Sequence, residues 1–432
     1  MFVSDCLGVN GAGRLTIGGL DAVELGSRYA TPLYVMDEDE IRANCRAFLR
    51  GMKIHREGRG AVAYASKAFC CKRMCRIAAE EGLWLDVASG GELHTALEAG
   101  FPSGRIIFHG NNKTAADLTL ALEAEVGRIV VDNIFELGLL DHLAKAAGKT
   151  ACIQLRIKPG VEAHTHEYIR TGGVDSKFGF SLESGEAMKA VVKALGRQSL
   201  CLKGLHCHIG SQIFGTEAFR AAASVMTELF ARVKRETGYA IPELNLGGGF
   251  GIRYLPEQEP AGYESCIEAI SRAIAESCRA LNISEPFLMV EPGRSIVGPA
   301  GITLYTIGAV KEIPGVRTYL TVDGGMADNP RYALYKSEYH MLLAARALAP
   351  PTGAYTVAGR CCESGDLLGV NIALPRPAVG EMLAVLATGA YNYSMASNYN
   401  RLPRPAVVMV GGGGSYLAVR RESFEDVARF DV

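Results

Sequence analysis

The chain has 432 residues, 48% hydrophobic and 21% charged, with 45 Lys and Arg against 46 Asp and Glu. That length supports a large core and more than one domain. The balanced charge, without an extended basic run, excludes a nucleic-acid footprint and points to a small-molecule partner.

Twelve cysteines stand at irregular spacings, often inside apolar runs (Cys152, Cys201, Cys207, Cys278), and no CxxC pair recurs. Zinc is therefore disfavoured, and such thiols suit a reducing cytosol. The opening "MFVSDCLGVNGAGRL" has no charged segment followed by an apolar one. No run approaches the ~18 apolar residues of a membrane span. A soluble cytoplasmic protein is expected.

The first thirty-odd residues read as β-like. From residue 60 to 291 short apolar runs alternate with amphipathic helical stretches. The expected strands are "AVAYAS" (61–66), "LWLDVA" (83–88), "RIIFHG" (105–110), "RIVVDN" (128–133), "CIQLRIK" (152–158), "LKGLHCHI" (202–209), "ELNLG" (243–247) and "FLMVE" (287–291). Eight such units with near-continuous apolar strands imply a parallel sheet closed into a (β/α)8 barrel. An open sheet would want a Gly-rich turn after its first strand, and "ASKAFCC" is not one. After residue 291 the texture becomes β-rich, in "GITLYTIGAV", "VRTYLTV", "AYTVAG", "EMLAVLA" and "AVVMVGGGGSYLAV". The expectation is an α/β protein: residues 34–298 form the barrel, 299–432 a mainly β domain, and 1–33 join that domain.

Unusual polar residues fall at the ends of the barrel strands. Lys67 follows the first, Asp86 ends the second, and Arg156 lies late in the fifth. His206 and His208 close the sixth, "GGG" (247–249) follows the seventh, and "EPGR" (291–294) follows the eighth. Taken singly each fits a structural role. Together they meet on the C-terminal face, where barrel enzymes keep their sites. "LGGGFG" (246–251) leaves backbone N–H groups free to face an anion, and "HIGSQ" adds the Ser211 hydroxyl. Lys67, partly desolvated in a pocket, can condense with a carbonyl. With a phosphate cradle and an acid, Glu291, on the eighth strand, these features describe a pyridoxal phosphate pocket. "EAHTHEY" (162–168) places His164 and His166 beside Glu162 and Glu167, but Pro159-Gly160 has ended the strand; a loop is favoured over a metal site.

The segments "YASKA", "HCHIGSQ", "LGGGFG", "EPGR", "DGGMADNPRYALY", "CCESGD" and "GAYNYSMASNYN" run in order through nearly the whole chain. Together they resemble diaminopimelate decarboxylase, a family of pyridoxal-phosphate enzymes with the alanine-racemase-like barrel. The resemblance implies decarboxylation of meso-2,6-diaminopimelate to L-lysine and CO2, the last step of lysine biosynthesis. It implies that Lys67 carries pyridoxal 5'-phosphate and that His208 stacks on its ring. Asp86, Ser211, Gly247, Gly248, Gly249, Glu291, Pro292, Gly293, Arg294 and Tyr391 would contact the cofactor. Arg294, Arg331, Tyr335, Glu363 and Tyr391 would bind substrate, and Cys362 would donate the proton. No metal is implied. In the family the "CESGD" segment reaches the partner subunit's site, so a homodimer with shared sites is expected. The stretch "EAHTHEYIRTGGVDSKFG" resembles the family's active-site lid.

The distal end of the substrate carries an amine and a carboxylate. Arg331 and Arg294 can fork onto the carboxylate, and Glu363 can take the ammonium. Of the two thiols in "RCCESGD", Cys362 is expected to work and Cys361 to pack, because adjacent side chains of an extended segment face opposite ways. The rival readings are a racemase or another amino-acid decarboxylase of the same fold, and a non-catalytic pyridoxal-phosphate carrier. A racemase would need a second base opposite Lys67, for which no motif appears. A carrier would leave the β domain without a use.

Overall fold

The computed structural model describes residues 2–161 and 176–432. The chain forms two compact units, one of Cys45–Gly251 and Pro260–Gly293, the other of Met1–Asn44, Ile252–Glu259 and Arg294–Val432. The expected lid, with His164 and His166, lies at residues 162–175, outside the described residues.

In the first unit eight parallel strands close on themselves. They are β1 (Gly60–Ala65), β2 (Trp84–Val87), β3 (Ile106–Phe108), β4 (Arg128–Val131), β5 (Ala151–Lys158), β6 (Leu200–His206), β7 (Glu243–Asn245) and β8 (Phe287–Val290). Each pairs with the next, and β8 pairs back onto β1. The helices begin where side chains can cap them. Ser89 accepts from Glu92 N, Thr114 and Asp117 make a reciprocal box, and Asn133 accepts from Glu136 N, so helices follow directly on β2, β3 and β4. β3 and β7 stop short of the apolar runs that announce them, because Gly110 (φ 133°) and Gly247 (φ 68°) turn the chain away. Glu291 accordingly stands one residue past β8 rather than at its end, and His208 two past β6.

The barrel interior is part apolar, part polar. Ala61, Ala63, Ile107, Val130 and Met289 pack together with Trp84 and Phe287 against them. Beside them runs a continuous hydrogen-bonded line. Arg128 grips Glu243 with both Nε (2.8 Å) and Nη2. Gln154 donates to Glu243 (3.2 Å), and Asn245 donates to Gln154 (3.2 Å) and to Glu291 (2.7 Å). Gln154 and Asn245 are fully buried, so each link removes an otherwise unmet polar group.

The second unit is built on strands in the order Leu367–Leu374, Gly353–Ala358, Arg317–Val322, Gly301–Ile313, Leu33–Asp37, Ala406–Gly411, Gly414–Val419. Leu33–Asp37, from near the start of the chain, lies antiparallel to Gly301–Ile313 and parallel to Ala406–Gly411. The N-terminal segment thus supplies a central strand. It also gives a small antiparallel sheet (Leu7–Val9, Leu15–Ile17, Leu20–Asp21) and a helix, Ala22–Tyr29, capped by Asp21. Leu367–Leu374 is a strand that the apolar pattern did not announce; Asn371 at positive φ interrupts its alternation. Residues of all three chain pieces, Leu33, Ile252 and Leu304 among them, share one buried cluster.

Glu243→Ala should strand the Arg128 guanidinium beneath the polar line. Its expected cost is about 2–4 kcal/mol, given what an unpaired, largely buried cation loses. Glu243→Gln, which keeps an acceptor, should cost less. Chemical denaturation of the two variants checks this; equal midpoints would remove the pair from the barrel's stability.

Candidate active site

Lys67 sits in a 3-10 turn, Ser66–Ala68, that ends β1. Its Nζ lies 3.7 Å from Asp86 Oδ2 at the head of β2, and its side chain is 46% exposed while Asp86 is buried. Burial pushes the Asp86 carboxyl up, against the pull of His109 and Lys67. Gly293 packs against the turn that carries Lys67: a Cβ there would meet Ala65 Cβ at 2.9 Å and Ala68 Cβ at 3.1 Å. Pro292 O accepts from Ala65 N (3.0 Å), so the segment after β8 braces the turn after β1.

Glu291 is the centre of this face. His109 Nε2 lies 2.8 Å from Oε1, His206 Nε2 3.1 Å from Oε2, and Asn245 Nδ2 2.7 Å from Oε1. Burial alone would push the carboxyl up. The two imidazoles outweigh burial and hold it well below the usual carboxylate range, so Glu291 stays ionised. Burial drives His206 itself down to about 4, so it is neutral and gives its Nε2 proton to Glu291. Its buried Nδ1 has no partner, as the bare nitrogen of that tautomer would not need one to donate to. His109, His206 and Glu291 form a cluster of metal-ligand type. The 2.8 Å separation is that of a direct hydrogen bond, whereas ligands about 2.0–2.1 Å from a tetrahedral zinc stand farther apart, at roughly 3.3 Å.

The glycine turn after β7 is dictated by space as well as by conformation. Gly247 and Gly249 have φ of 68° and 110°. A Cβ on Gly247 would meet Cys207 O at 2.6 Å, and one on Gly248 or Gly249 would collide with Glu291 O or Gly210 O. Gly248 N donates to His208 Nδ1 (3.2 Å). Desolvation, with Lys67 and Arg156 nearby, holds His208 well below its ordinary range, and the neutral ring can accept that bond. Ser211 lies on the same post-β6 loop, partly exposed. Arg156, inside β5, stacks 4.1 Å from the Phe178 ring and faces Asp132 at 3.9 Å.

The remaining expected site residues belong to the β unit. Arg294 and Arg331 are both buried and both face Tyr391, at 4.8 and 5.5 Å from its ring centre. Tyr335 lies 5.2 Å from Arg331. Tyr391 itself takes a left-handed backbone conformation, φ 62°, which aromatic residues rarely adopt. Arg331 Nη2 donates to Ser337 Oγ (3.4 Å), the guanidinium also bonds the Tyr339 side chain, its Nε is buried without a partner, and no carboxylate of the described residues pairs with it. Cys362 and Glu363 stand on another loop of the same unit. Cys361 is buried and Cys362 exposed, with Cys362 N donating to Asn400 Oδ1 (2.7 Å). Asp366 Oδ2 accepts from Cys361 N (2.7 Å), and its Oδ1 from Met326 N (2.6 Å), so one carboxylate ties the "CCESGD" and "DGGMADNPR" loops.

Three residues of these clusters were not expected from sequence. His109 directly follows β3 much as His206 ends β6, and that similar position could have flagged it. Asn245 is the one amide in an apolar strand, a readable signal. Tyr254, whose hydroxyl accepts from Arg294 Nη1 (2.5 Å), lies in a loop with no pattern to announce it.

His206 makes stability depend on pH. Its folded pKa of about 4 lies below the ordinary 6.5, so between those values the unfolded chain binds a proton that the folded one refuses. Stability should fall as pH drops from 6.5 towards 4, by about 3 kcal/mol from this residue at the lower end. His206→Asn should flatten that part of the profile. An unchanged slope in the variant would mean that His206 is protonated in the fold.

Residues 38–298 match the family model of the pyridoxal-dependent decarboxylases, pyridoxal binding domain. The chain is 49% identical to the diaminopimelate decarboxylase of Bacillus subtilis, covering 100% of this chain and 98% of the relative. It is 51% identical to that of Halalkalibacterium halodurans over the same shares. Among solved structures it is similar to diaminopimelate decarboxylase from M. jannaschii in complex with L-lysine, with TM-score 0.93, 36% identity, and 100% and 99% of the two chains covered. The Helicobacter pylori enzyme with L-lysine gives TM-score 0.86 at 29% identity, covering 95% and 98%. A barrel carrying Lys67, the glycine turn and Glu291, matched over its whole length by such relatives, means that the chain belongs to the diaminopimelate decarboxylase family.

Proposed function

We propose that this chain removes CO2 from meso-2,6-diaminopimelate to give L-lysine, using pyridoxal 5'-phosphate. The observation that carries this reading is the buried Glu291 carboxylate, held by His109, His206 and Asn245, directly after the strand beside the one that leads into Lys67. The relatives from M. jannaschii and Helicobacter pylori, solved with L-lysine, support the choice of product.

The residues fit the cofactor. A buried carboxylate held in its ionised form suits a pyridinium N–H, and a turn that tolerates no Cβ lets a phosphate approach its backbone closely. Lys67 would hold the cofactor covalently, with Asp86 as the counter-ion of its amine. His208 would lie along the ring. Gly247–Gly249, Ser211, the segment Glu291–Arg294 and Tyr391 would complete its seat. Pyridoxal phosphate, when bound, supplies the electron sink that makes loss of CO2 from an amino acid feasible. Glu291 would keep a proton on the ring nitrogen. Arg331 and Arg294 would take the distal carboxylate, Tyr335 and Tyr391 would line its site, and Glu363 would take the distal ammonium. Cys362 would deliver a proton to the substrate Cα. A thiol suits that role, being mostly protonated at neutral pH yet able to yield the proton. We infer further that the protein works as a homodimer in the cytoplasm, each "CCESGD" segment serving the partner's site.

Purified protein given cofactor and meso-diaminopimelate should release CO2 and lysine in equal amounts. Borohydride should fix the cofactor on Lys67, and Lys67→Ala should lose nearly all turnover. Label on another lysine, or absence of lysine in the product, would sink the reading.

The exposed Cys362 and buried Cys361 should separate by mutation. Cys362→Ala should lose most activity yet still bind cofactor, whereas Cys361→Ala should stay largely active. Mixing inactive Lys67→Ala with inactive Cys362→Ala should restore partial activity through hybrid dimers. If subunits exchange and no activity returns, the shared site is wrong.

A further inference from the structure

Tyr254 belongs to the short piece Ile252–Glu259 that packs with the β unit. Its backbone is fixed at both ends: its N donates to Gln258 Oε1 (2.8 Å), and its O accepts from His340 N (3.2 Å). Its ring is buried and stands edge-on to Tyr339, 5.2 Å between centres at 89°. Such a ring has little freedom, so its hydroxyl is a fixed point. That point receives Arg294 Nη1 at 2.5 Å.

The other arginine is close by. Arg294 and Arg331 share the face of Tyr391, so two cations are buried against one ring. Like charges in a poorly hydrated place repel, and long guanidinium side chains have rotamers in which to separate. A tyrosine hydroxyl holds a guanidinium while leaving its charge in place. Arg331 is likewise held by hydroxyls, those of Ser337 (3.4 Å) and Tyr339.

We propose that Tyr254 is a positioning residue for substrate recognition: it fixes Arg294 beside Arg331 so that the pair meets the distal carboxylate of the substrate as a preformed dication. This rests on the reading of the two arginines as the carboxylate site. Tyr254 does not touch the reacting carbon, so its loss acts on binding of the distal end and not on the chemical step.

The test is steady-state kinetics of the holoenzyme variant Tyr254→Phe, which keeps the ring and its packing. The Michaelis constant for meso-diaminopimelate should rise about tenfold, as loss of a hydrogen bond to a charged group predicts, with kcat within about twofold. Absorbance of the bound cofactor should not change. L-lysine lacks the distal carboxylate, so its inhibition constant should stay within about twofold of wild type. General damage to the site would weaken diaminopimelate and lysine alike, and that result would overturn the proposal. Arg331→Ala is the control. If Arg331→Ala raises the Michaelis constant and Tyr254→Phe does not, Tyr254 has no such role. If Arg331→Ala itself leaves diaminopimelate binding intact, the carboxylate reading fails, and the proposal with it.

Discussion

Glu291 must keep a negative charge where water does not reach it, and an unpaired buried carboxylate costs several kcal/mol. Three donors answer that demand, and each is placed by a different strand: His109 after β3, His206 in β6, Asn245 in β7. Satisfying Asn245 calls in Gln154 from β5; satisfying Gln154 calls in Glu243, which then needs Arg128 from β4. The polar line through the barrel is therefore one chain of obligations that begins at the site. Its members are fixed in register because a one-residue slip would turn every one of them outward.

The two units treat charge in opposite ways. The barrel surrounds an anion with side-chain donors and keeps it ionised; burial of His206 removes a competing positive charge while leaving its N–H to share. In the β unit, hydroxyls and aromatic faces meet the guanidinium groups of Arg294 and Arg331. A paired charge is stable but spent, and one held by neutral dipoles can still bind an ion of opposite sign.

Most of the barrel was legible because its signal is periodic: buried parallel strands read as unbroken apolar runs, and each is followed by an amphipathic stretch. Lys67, Asp86, His208 and Glu291 were legible because a polar residue at the end of such a run is out of place. His109 carries the same signal in "IIFHG". The resemblance, not periodicity, supplied roles for Arg331, Tyr335 and Cys362. Tyr254 was illegible for a physical reason. Its contacts with Arg294, Tyr339 and His340 form only after distant parts of the chain have come together. The strand Leu367–Leu374 escaped because its alternation is broken at Asn371.

The central strand Leu33–Asp37 has consequences for how the chain is made. Its neighbours are Gly301–Ile313 and, farther along the chain, Ala406–Gly411. At ~5–20 residues per second, roughly 20–75 s pass between emergence of the first strand and of that partner. Until Gly301–Ile313 emerges, this five-residue, mainly apolar segment has both edges open, and until Ala406–Gly411 follows it still has one. The barrel can close in the meantime, since its strands are contiguous but for the short Ile252–Glu259 excursion. Nascent chains should thus pass through a state with one finished domain and one sticky, waiting strand, and it is there that a chaperone or a neighbouring nascent chain would find its hold.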